Sequence, residues 1–414
     1  MGKWGIRMVV ILFCFITACS SEPEQVTSGE DKVVLEFYSP KVETEAVFET
    51  LIEEFEFKNN GIDIQQVVVP RGMTVLKTRM ARGDVPDLFI TYPIEEDYLI
   101  RARKGYLEDL TDEPFLKDIE SHIQDRYLVD GRMYGAALTQ NAVGVLYNKR
   151  HFEKLNLSVP STWEEWIDTM HQMEDEGYTP FIMPNGDVEQ TSVFTLNFVA
   201  NAFSQEYWEK RDYEIVNDPQ WNELAEKTLQ VLPFTQADAF EDSYQDAIEK
   251  FAKEQGSMMV MGTWALPLID EVNPELEYGI FPFPADQSEQ HPVLGGVDIG
   301  IAISSATEHP EEAKKFLSFL IQKDQASKLS NYEGSISTIE GVMVEREEVK
   351  VLEKKLRADE SVNWPNHYWD GGTAAEADYR KYTLEFLIHQ DSKAYLSNLE
   401  NMFEKYEQDS GERP

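Results

Sequence analysis

The chain has 414 residues, which at roughly 150 residues per domain suggests two or three domains. With 42% hydrophobic and 27% charged residues, it cannot be wholly disordered, and it has enough apolar surface for more than one core. Lysine and arginine total 37 against 76 acidic residues, a formal net charge of −39. This charge makes nucleic acids, anionic membranes and polyanionic substrates unfavourable partners. Cys14 and Cys19 are the only cysteines, so a disulfide framework and a multi-cysteine zinc site are excluded.

An export signal is predicted at the N-terminus. Lys3 and Arg7 supply a positive segment, and an unbroken apolar run from 8 to 16 follows it. Such a run is too short to span a bilayer and is typical of the core of a signal peptide. No later window offers about 20 consecutive apolar residues, so no other spanning segment is predicted.

The end of this run, Ile16-Thr17-Ala18-Cys19, resembles the lipobox of bacterial lipoproteins. In those proteins cleavage precedes the cysteine, and its thiol takes a diacylglyceryl group. The resemblance implies a signal peptide at 1–18, a flexible tether at 19–32, and an anchor through Cys19 at the extracytoplasmic face of the cell membrane. The alternative is an ordinary secretory signal with an incidental cysteine.

The first part of the mature chain alternates strand and helix patterns. Strands are predicted at 33–38, 62–69 and from 86 to 90, with helices at 48–55 and 74–82. Because this order is typical of a parallel sheet covered by helices, the pattern predicts an α/β fold.

The remainder is mainly helical, with a few extended segments. Extended segments are predicted at 134–138, 143–147, 258–261 and 300–304, and helical texture at 191–232, 244–253, 313–321 and 345–405. Thr162 and Glu165 form a capping-box pattern at the start of another helix. Trp163 and Trp166 repeat there at helical spacing with Met170, so we expect both in the core.

Four stretches of the chain resemble one family in their order and spacing. They are Arg82-Gly83-Asp84-Val85-Pro86-Asp87-Leu88-Phe89; Leu146-Tyr147-Asn148-Lys149 with Pro160-Ser161-Thr162-Trp163-Glu164-Glu165; Phe251, Met258, Gly262 and Trp264; and Gly295-Gly296 with 301–304 and 312–317. Over about residues 33–330, behind a lipobox, they resemble the extracellular solute-binding proteins of bacterial ABC importers. The closest group binds maltodextrins and other oligosaccharides. The chain departs from the family pattern at Glu254-Gln255 and at 334–337, and after about 340 it matches in helical texture only.

The resemblance implies a two-lobed periplasmic-binding-protein-like α/β fold, in which each lobe is a sheet flanked by helices and crossing segments form a hinge. The lobe boundaries implied are 33–139 plus 284–332 for lobe 1 and 140–283 plus 333–414 for lobe 2. Ligand would sit in the cleft between the lobes, and hinge closure would trap it.

The resemblance also implies a function. The chain would be a monomeric sugar-capturing subunit that delivers a neutral carbohydrate to the transmembrane permease subunits of an ABC importer, without enzymatic activity, cofactor or metal. No nucleophile elbow, phosphate loop, dinucleotide fingerprint or His-Glu-x-x-His run points to an enzyme. Two alternatives stay open: a binding protein for another solute, such as a peptide or a glycerol-type molecule, and a surface-anchored enzyme that acts on glycosides.

Aromatic side chains are the first candidates for a sugar site, because a pyranose combines an apolar C–H face with a rim of hydroxyls. Trp264 follows the strand pattern at 258–261, where the resemblance places a ligand-facing aromatic. The loop 364–372 is the densest aromatic and polar stretch in the chain, and Gly and Pro within it suit a binding loop. Its candidates are Trp364, Tyr368, Trp369 and Asp370. The alternative for each is a place in the core.

Polar candidates lie at predicted crossings and strand ends. Gln140 and Asn141 sit at the first crossing, where neutral amides would suit an uncharged ligand or would satisfy hinge backbone groups. Tyr38 and Tyr92 end predicted strands, which is where open α/β sheets bind ligands. Asp298 follows Gly295-Gly296 and would face either the cleft or the surface.

Overall fold

The computed structural model describes most of the chain. The described residues are 32–70, 72–93, 95–210, 213–288, 291–358 and 360–411. The predicted signal peptide at 1–18, and all but the last residue of the predicted tether, lie outside them.

From Val33 to Ile90, strands and helices alternate in the order that the sequence predicts. The strands are β1 (Val33–Ser39), β2 (Ile62–Val68), β3 (Leu88–Ile90), β4 (Leu128–Val129), β5 (Arg132–Met133), β6 (Ala136–Asn148), β7 (Phe181–Ile182), β8 (Met258–Gly262), β9 (Tyr278–Phe281), β10 (Val293–Ile303), β11 (Ile336–Ser337) and β12 (Ser361–Val362). The helices are α1 (Glu45–Lys58), α2 (Met73–Ala81), α3 (Glu96–Arg103), α4 (Ser121–Gln124), α5 (Lys149–Leu155), α6 (Trp163–Asp175), α7 (Val188–Ala202), α8 (Gln205–Lys210), α9 (Pro219–Val231), α10 (Tyr244–Ala252), α11 (Leu266–Val272), α12 (Pro310–Ile321), α13 (Lys323–Glu333), α14 (Lys350–Arg357), α15 (Thr373–His389) and α16 (Ser392–Gly411).

A mixed sheet runs through both halves of the molecule in the strand order β2-β1-β3-β10-β6-β8-β7. Strands β2, β1 and β3 are parallel, as expected from the β-α-β-α-β pattern. Strand β10 is antiparallel to β3 and to β6. The hairpin β4-β5 forms a separate small sheet.

The core of the first lobe lies between β1 and the helices that cover it. Phe48 and Phe55 lie on the apolar face of α1, and both are fully buried. Phe48 packs on Phe37 of β1 at 4.9 Å between ring centroids, and Phe55 packs on Phe316 of α12 at 5.0 Å. The predicted period-3.6 stripe of this helix therefore faces the sheet.

The second lobe has an aromatic core built around α6. Thr162 caps this helix by accepting a hydrogen bond from the Glu165 backbone N–H at 3.3 Å. The Glu165 carboxylate in turn accepts hydrogen bonds from the Ser161 backbone N–H and hydroxyl. Trp163 and Trp166 are buried, at 5% and 0% exposure, so the prediction that both lie in the core is confirmed.

Two long strands join the lobes. The sequence predicts separate extended segments at 134–138 and 143–147, whereas β6 is one continuous strand of 13 residues. Its first half pairs with β10, and its second half pairs with β8 and β9. One hydrophobic core draws on residues 35–138 and 297–342, and the cores of the other lobe draw on 142–294 and 336–406. The exact lobe boundaries stay predictions.

Candidate ligand-binding site

A cleft of about 730 Å³ separates the two lobes. Residues after β1 and β3 line it from the first lobe, and the N-terminal ends of α7, α10 and α15 line it from the second. The crossing strands contribute Asn141, Val297 and Asp298. Both lobes therefore touch whatever occupies the cleft.

Two tryptophans form an aromatic surface in this cleft. The ring centroids of Trp264 and Trp364 are 6.0 Å apart, with the planes inclined by 43°. A Cβ at Gly262 would overlap the Trp264 indole, and a Cβ at Gly296 would lie 3.3 Å from Trp364 Cδ1. Each indole thus packs against a glycine of a strand. The sequence places Trp264 beside its glycine, but Gly296 and Trp364 are far apart in the chain.

A chain of hydrogen bonds connects this aromatic surface to the crossing strands. Trp364 Nε1 donates to Asn141 Oδ1 at 3.2 Å, and Asn141 Nδ2 donates to Asp298 Oδ1 at 3.1 Å. The register of β10 against β6 shifts between Val297 and Ile299. Such an irregularity re-aims the side chain at the shift, which here is Asp298.

Lys41 joins the same network from the first lobe. Its Nζ lies 2.6 Å from Asp298 Oδ2, 3.0 Å from Glu333 Oε1 and 3.2 Å from Glu43 Oε1. Burial alone would lower the pKa of Lys41, but the three carboxyl groups outweigh it and raise that pKa. We name Lys41, Glu43, Asn141, Asp298, Glu333 and Trp364 the hinge network.

Glu333 is the protonated member of the hinge network at neutral pH. Burial, which the nearby Asp298 reinforces, raises the pKa of Glu333 to about 8. The pKa of Asp298 is lowered, because Lys41 and Asn141 overcome the opposing effect of burial. Lys41 therefore faces the ionised carboxylate of Asp298, and the cluster avoids two adjacent buried negative charges.

The other part of the cleft has a second polar group of side chains. Arg380 of α15 lies 2.5 Å from Glu376 and 3.8 Å from Glu189 of α7. Glu95 of the first lobe lies 3.7 Å from His367 Nε2 of the second. Burial, with Glu376 nearby, raises the pKa of Glu95 to about 8, and burial lowers the pKa of His367 to about 4. Both members of that pair are therefore neutral near pH 7.

Of the ten predicted site residues, half line the cleft: Tyr92, Asn141, Trp264, Asp298 and Trp364. The structure brings them together from strand ends, both crossing strands and the aromatic loop. Lining the cleft makes contact with a ligand possible, and that contact stays a prediction.

The other five do not line the cleft. Trp369 lies in the core, 2% exposed, against Trp208, Tyr379 and Phe403. Tyr38 is buried and donates to the Gly72 carbonyl at 2.7 Å, and the Tyr368 hydroxyl accepts from Asn363 at 2.8 Å. Gln140 is buried in β6 opposite Val297 and Ile336, and Asp370 also lies away from the cleft lining.

Sequence reasoning missed several residues of the cleft. Lys41 comes two residues after the end of β1, a strand-end position where a charged residue could have been proposed. Tyr244 begins α10, and Gln190, Glu376 and Arg380 lie within α7 and α15, where the sequence predicts only helical texture. Nothing local in the sequence marks their side chains as facing a cleft.

Comparison with known proteins assigns the family. A family model described as bacterial extracellular solute-binding protein matches residues 39–327. The multiple sugar-binding protein of Streptococcus mutans is 30% identical over 416 residues, covering 97% of each chain. The chain belongs to the bacterial extracellular solute-binding protein family, whose members are binding proteins that act outside the cytoplasm.

Two solved structures are similar over nearly the whole described chain. RafE in complex with raffinose is 27% identical, with a TM-score of 0.82, covering 91% of this chain and 100% of that one. The apo form of RafE from Streptococcus pneumoniae is 27% identical, with a TM-score of 0.75, covering 91% and 98%. The two-lobed fold is therefore confirmed. Among the described residues, none of the helices is long and apolar enough to cross a membrane.

Proposed function

We propose that this protein captures a short neutral oligosaccharide in the cleft between its lobes and delivers it to the permease of an ABC importer. The observation that carries the proposal is the aromatic surface of Trp264 and Trp364 within a cleft of about 730 Å³. Indole faces match the apolar C–H face of a pyranose, and polar groups around them suit its hydroxyls. The relative named as a multiple sugar-binding protein and the raffinose complex of RafE support the same ligand class.

The charges of the cleft favour a neutral ligand. Among the described residues that line it, the two cationic side chains, Lys41 and Arg380, are both engaged by carboxyl groups. The remaining charged groups that line it, such as Asp187 and Glu189, are acidic. An anionic ligand would meet repulsion from these carboxylates, and the cations in the described part of the lining are already paired.

Contacts between the lobes support trapping by hinge closure. Arg126 of the first lobe donates to Asn363 of the second at 2.7 Å, and Thr373 donates to Asp97 of the first at 3.1 Å. The chain is also more similar to the raffinose complex of RafE than to its apo form. A ligand that contacts both lobes binds this arrangement better than an open one and thereby stabilises it.

A thermal-shift screen tests the proposal. The panel is glucose, galactose, maltose, melibiose, raffinose, stachyose, glycerol and a tripeptide, with citrate as the anionic control. A sugar at a hundredfold excess over its Kd should stabilise the protein by about 2.7 kcal/mol. Stabilisation by the peptide or glycerol alone would contradict a carbohydrate ligand and indicate a peptide-binding or glycerol-binding protein. Release of monosaccharide from raffinose or stachyose would indicate an enzyme.

We also propose that Cys19 carries a lipid anchor. The support is the Ile16-Thr17-Ala18-Cys19 sequence together with membership of an extracellular family. Two acyl chains on one residue would hold the protein durably at the membrane surface. Cys19→Ala should abolish labelling by a radiolabelled fatty acid in cells, whereas Cys14→Ala should not. Equal labelling of wild type and Cys19→Ala would contradict the anchor.

A further inference from the structure

The members of the hinge network that line the cleft, Lys41, Glu43, Asn141, Asp298 and Trp364, are already paired within the network. Trp364 Nε1 and Asn141 Nδ2 each donate within the network, and Lys41 Nζ lies within bonding distance of three carboxyl groups. Groups that are paired without a ligand lose little when a ligand hydroxyl is missing. This side of the cleft therefore shapes the site but discriminates weakly between sugars.

The wall of the second lobe has the opposite character. Four buried polar atoms that belong to cleft-lining residues have no hydrogen-bond partner among the described residues: Gln190 Oε1, Tyr244 Oη, Asn366 Oδ1 and Arg380 Nε. Leaving a polar atom both dry and unpaired is unfavourable, so such atoms normally have a partner. The two amide oxygens can only accept a hydrogen bond, Arg380 Nε can only donate one, and the Tyr244 hydroxyl can do either.

Tyr244 is the most deeply buried of these residues. It is 7% exposed and begins α10. Its backbone position is fixed by the capping box, in which Ser243 Oγ accepts from the Asp246 N–H and Asp246 accepts from the Ser243 N–H. Tyr244 lines the same cleft as Lys41, Glu43 and Asp298 of the hinge network. Burial raises the pKa of Tyr244 well above its usual range, so it is a neutral hydroxyl.

We infer that Tyr244, together with the amides of Gln190 and Asn366, reads the hydroxyl pattern of the bound sugar and so determines which sugar the protein accepts. The inference rests on the proposed function and deepens it. A hydroxyl both donates and accepts, so a polyhydroxylated ligand satisfies these atoms, whereas a ligand that lacks one hydroxyl leaves a buried group unpaired. Sites of that kind reject the deficient ligand far more strongly than apolar sites do.

Tyr244→Phe tests this directly, because it removes only the oxygen atom. With the panel sugar that stabilises the wild type most, calorimetric titration should show affinity reduced about 10- to 100-fold. The ligand-free variant should unfold at the same denaturant concentration as wild type or higher, since the lost hydroxyl has no partner among the described residues. Gln190→Met, which removes Oε1 at nearly constant volume, should also weaken binding.

Tyr379→Phe is the matched control in the same lobe. The Tyr379 hydroxyl is buried in the core and bonds Thr195 Oγ1 at 3.0 Å. This variant should be less stable than wild type but should bind the sugar within about twofold. Deoxy analogues of the sugar add a second readout: one of them should bind wild type more weakly than the parent sugar but bind Tyr244→Phe equally well.

The outcomes separate the inference from the proposed function. If wild type binds a panel sugar and Tyr244→Phe binds it within twofold, the inference is wrong and the proposed function stands. Equal losses of affinity in Tyr244→Phe and Tyr379→Phe would also overturn the inference. If wild type binds no sugar of the panel, both are wrong.

Discussion

Two tryptophan pairs in this protein have the same composition and opposite surroundings. Trp163 and Trp166 lie 5.3 Å apart on one helix, edge to face with each other and with Phe198 and Phe181. Trp264 and Trp364 lie 6.0 Å apart, come from distant segments, and line a cleft against glycines. The first pair is enclosed by aromatic rings, whereas the second keeps part of its surface accessible.

The difference shows how packing partners separate a structural aromatic from a functional one. An indole enclosed by other rings has no free face and contributes its burial to stability. An indole that packs against a glycine contacts the backbone closely on one side, and its other side remains accessible. We therefore expect the helical pair to govern folding and the cleft pair to govern binding, and substitutions can separate the two effects.

The largest effect should follow Trp166→Ala. Trp166 is fully buried, and its Nε1 points at Met258 Sδ at 3.3 Å. Removing it opens a core cavity, so the free energy of unfolding should fall by about 3–5 kcal/mol. Denaturant titration measures this loss, and any folded variant should keep its affinity for the sugar. An unchanged midpoint of denaturant unfolding would contradict the placement of Trp166 in an enclosed core.

Trp264→Ala should show the reverse pattern. Buried aromatic anchors often dominate binding, so its affinity for the panel sugar should fall by about 2–4 kcal/mol. Its stability should change less than that of Trp163→Ala or Trp166→Ala, because Trp264 is only partly buried. Calorimetric titration of the folded variant is the measurement. An affinity within twofold of wild type would place the sugar elsewhere.

Gly262→Ala should weaken binding without replacing any ligand-facing side chain. The added methyl group overlaps the Trp264 indole, so the ring must move from its position in the cleft. We expect about a tenfold loss of affinity, or about 1.4 kcal/mol. Gly61→Ala is the control, because its added methyl group would meet no atom within 4 Å. Equal affinities for the two variants would show that the indole position is unimportant.

The smallest effect of a single group concerns the protonation of two buried carboxyl groups, Glu333 and Glu95. Glu333 and Glu95 have folded-state pKa values of about 8, above the ordinary value of 4.5, so each lowers stability as pH rises towards 8. His367, with a pKa of about 4, acts oppositely, but only below its ordinary value of 6.5. Between about pH 6.5 and 7.5 stability should therefore fall, by about 1 kcal/mol for each carboxyl. Glu333→Gln should have a shallower slope, and an unchanged slope would contradict a protonated Glu333.

Sequence periodicity predicted individual strands and helices and the enclosed pair, whereas the two-lobed arrangement was implied by the family resemblance. Trp163 and Trp166 lie at helical spacing with Met170, and all three are buried. The strands around Leu35 and Ile64 and the helix around Leu51 follow from local patterns in the same way. Such features depend on neighbours three to four residues away, which the sequence displays.

The cleft depends on contacts that the sequence does not display. Lys41 and Asp298 are 257 residues apart and meet at 2.6 Å. In the aromatic loop, Trp364 lines the cleft while Trp369, five residues later, is enclosed by α8 and α16 through Trp208 and Phe403. The loop has no regular period, so only tertiary packing decides which of its rings is buried.

Fluorine NMR of the protein labelled with 5-fluorotryptophan compares the two pairs most directly. Each resonance is assigned by replacing one tryptophan at a time with phenylalanine, and the panel sugar is then titrated. We predict that the resonances of Trp264 and Trp364 shift most on saturation, while those of Trp163 and Trp166 move least. Confirmed sugar binding with unchanged Trp264 and Trp364 resonances, or with the largest shifts at Trp163 and Trp166, would contradict the assignment of the cleft pair as the sugar surface.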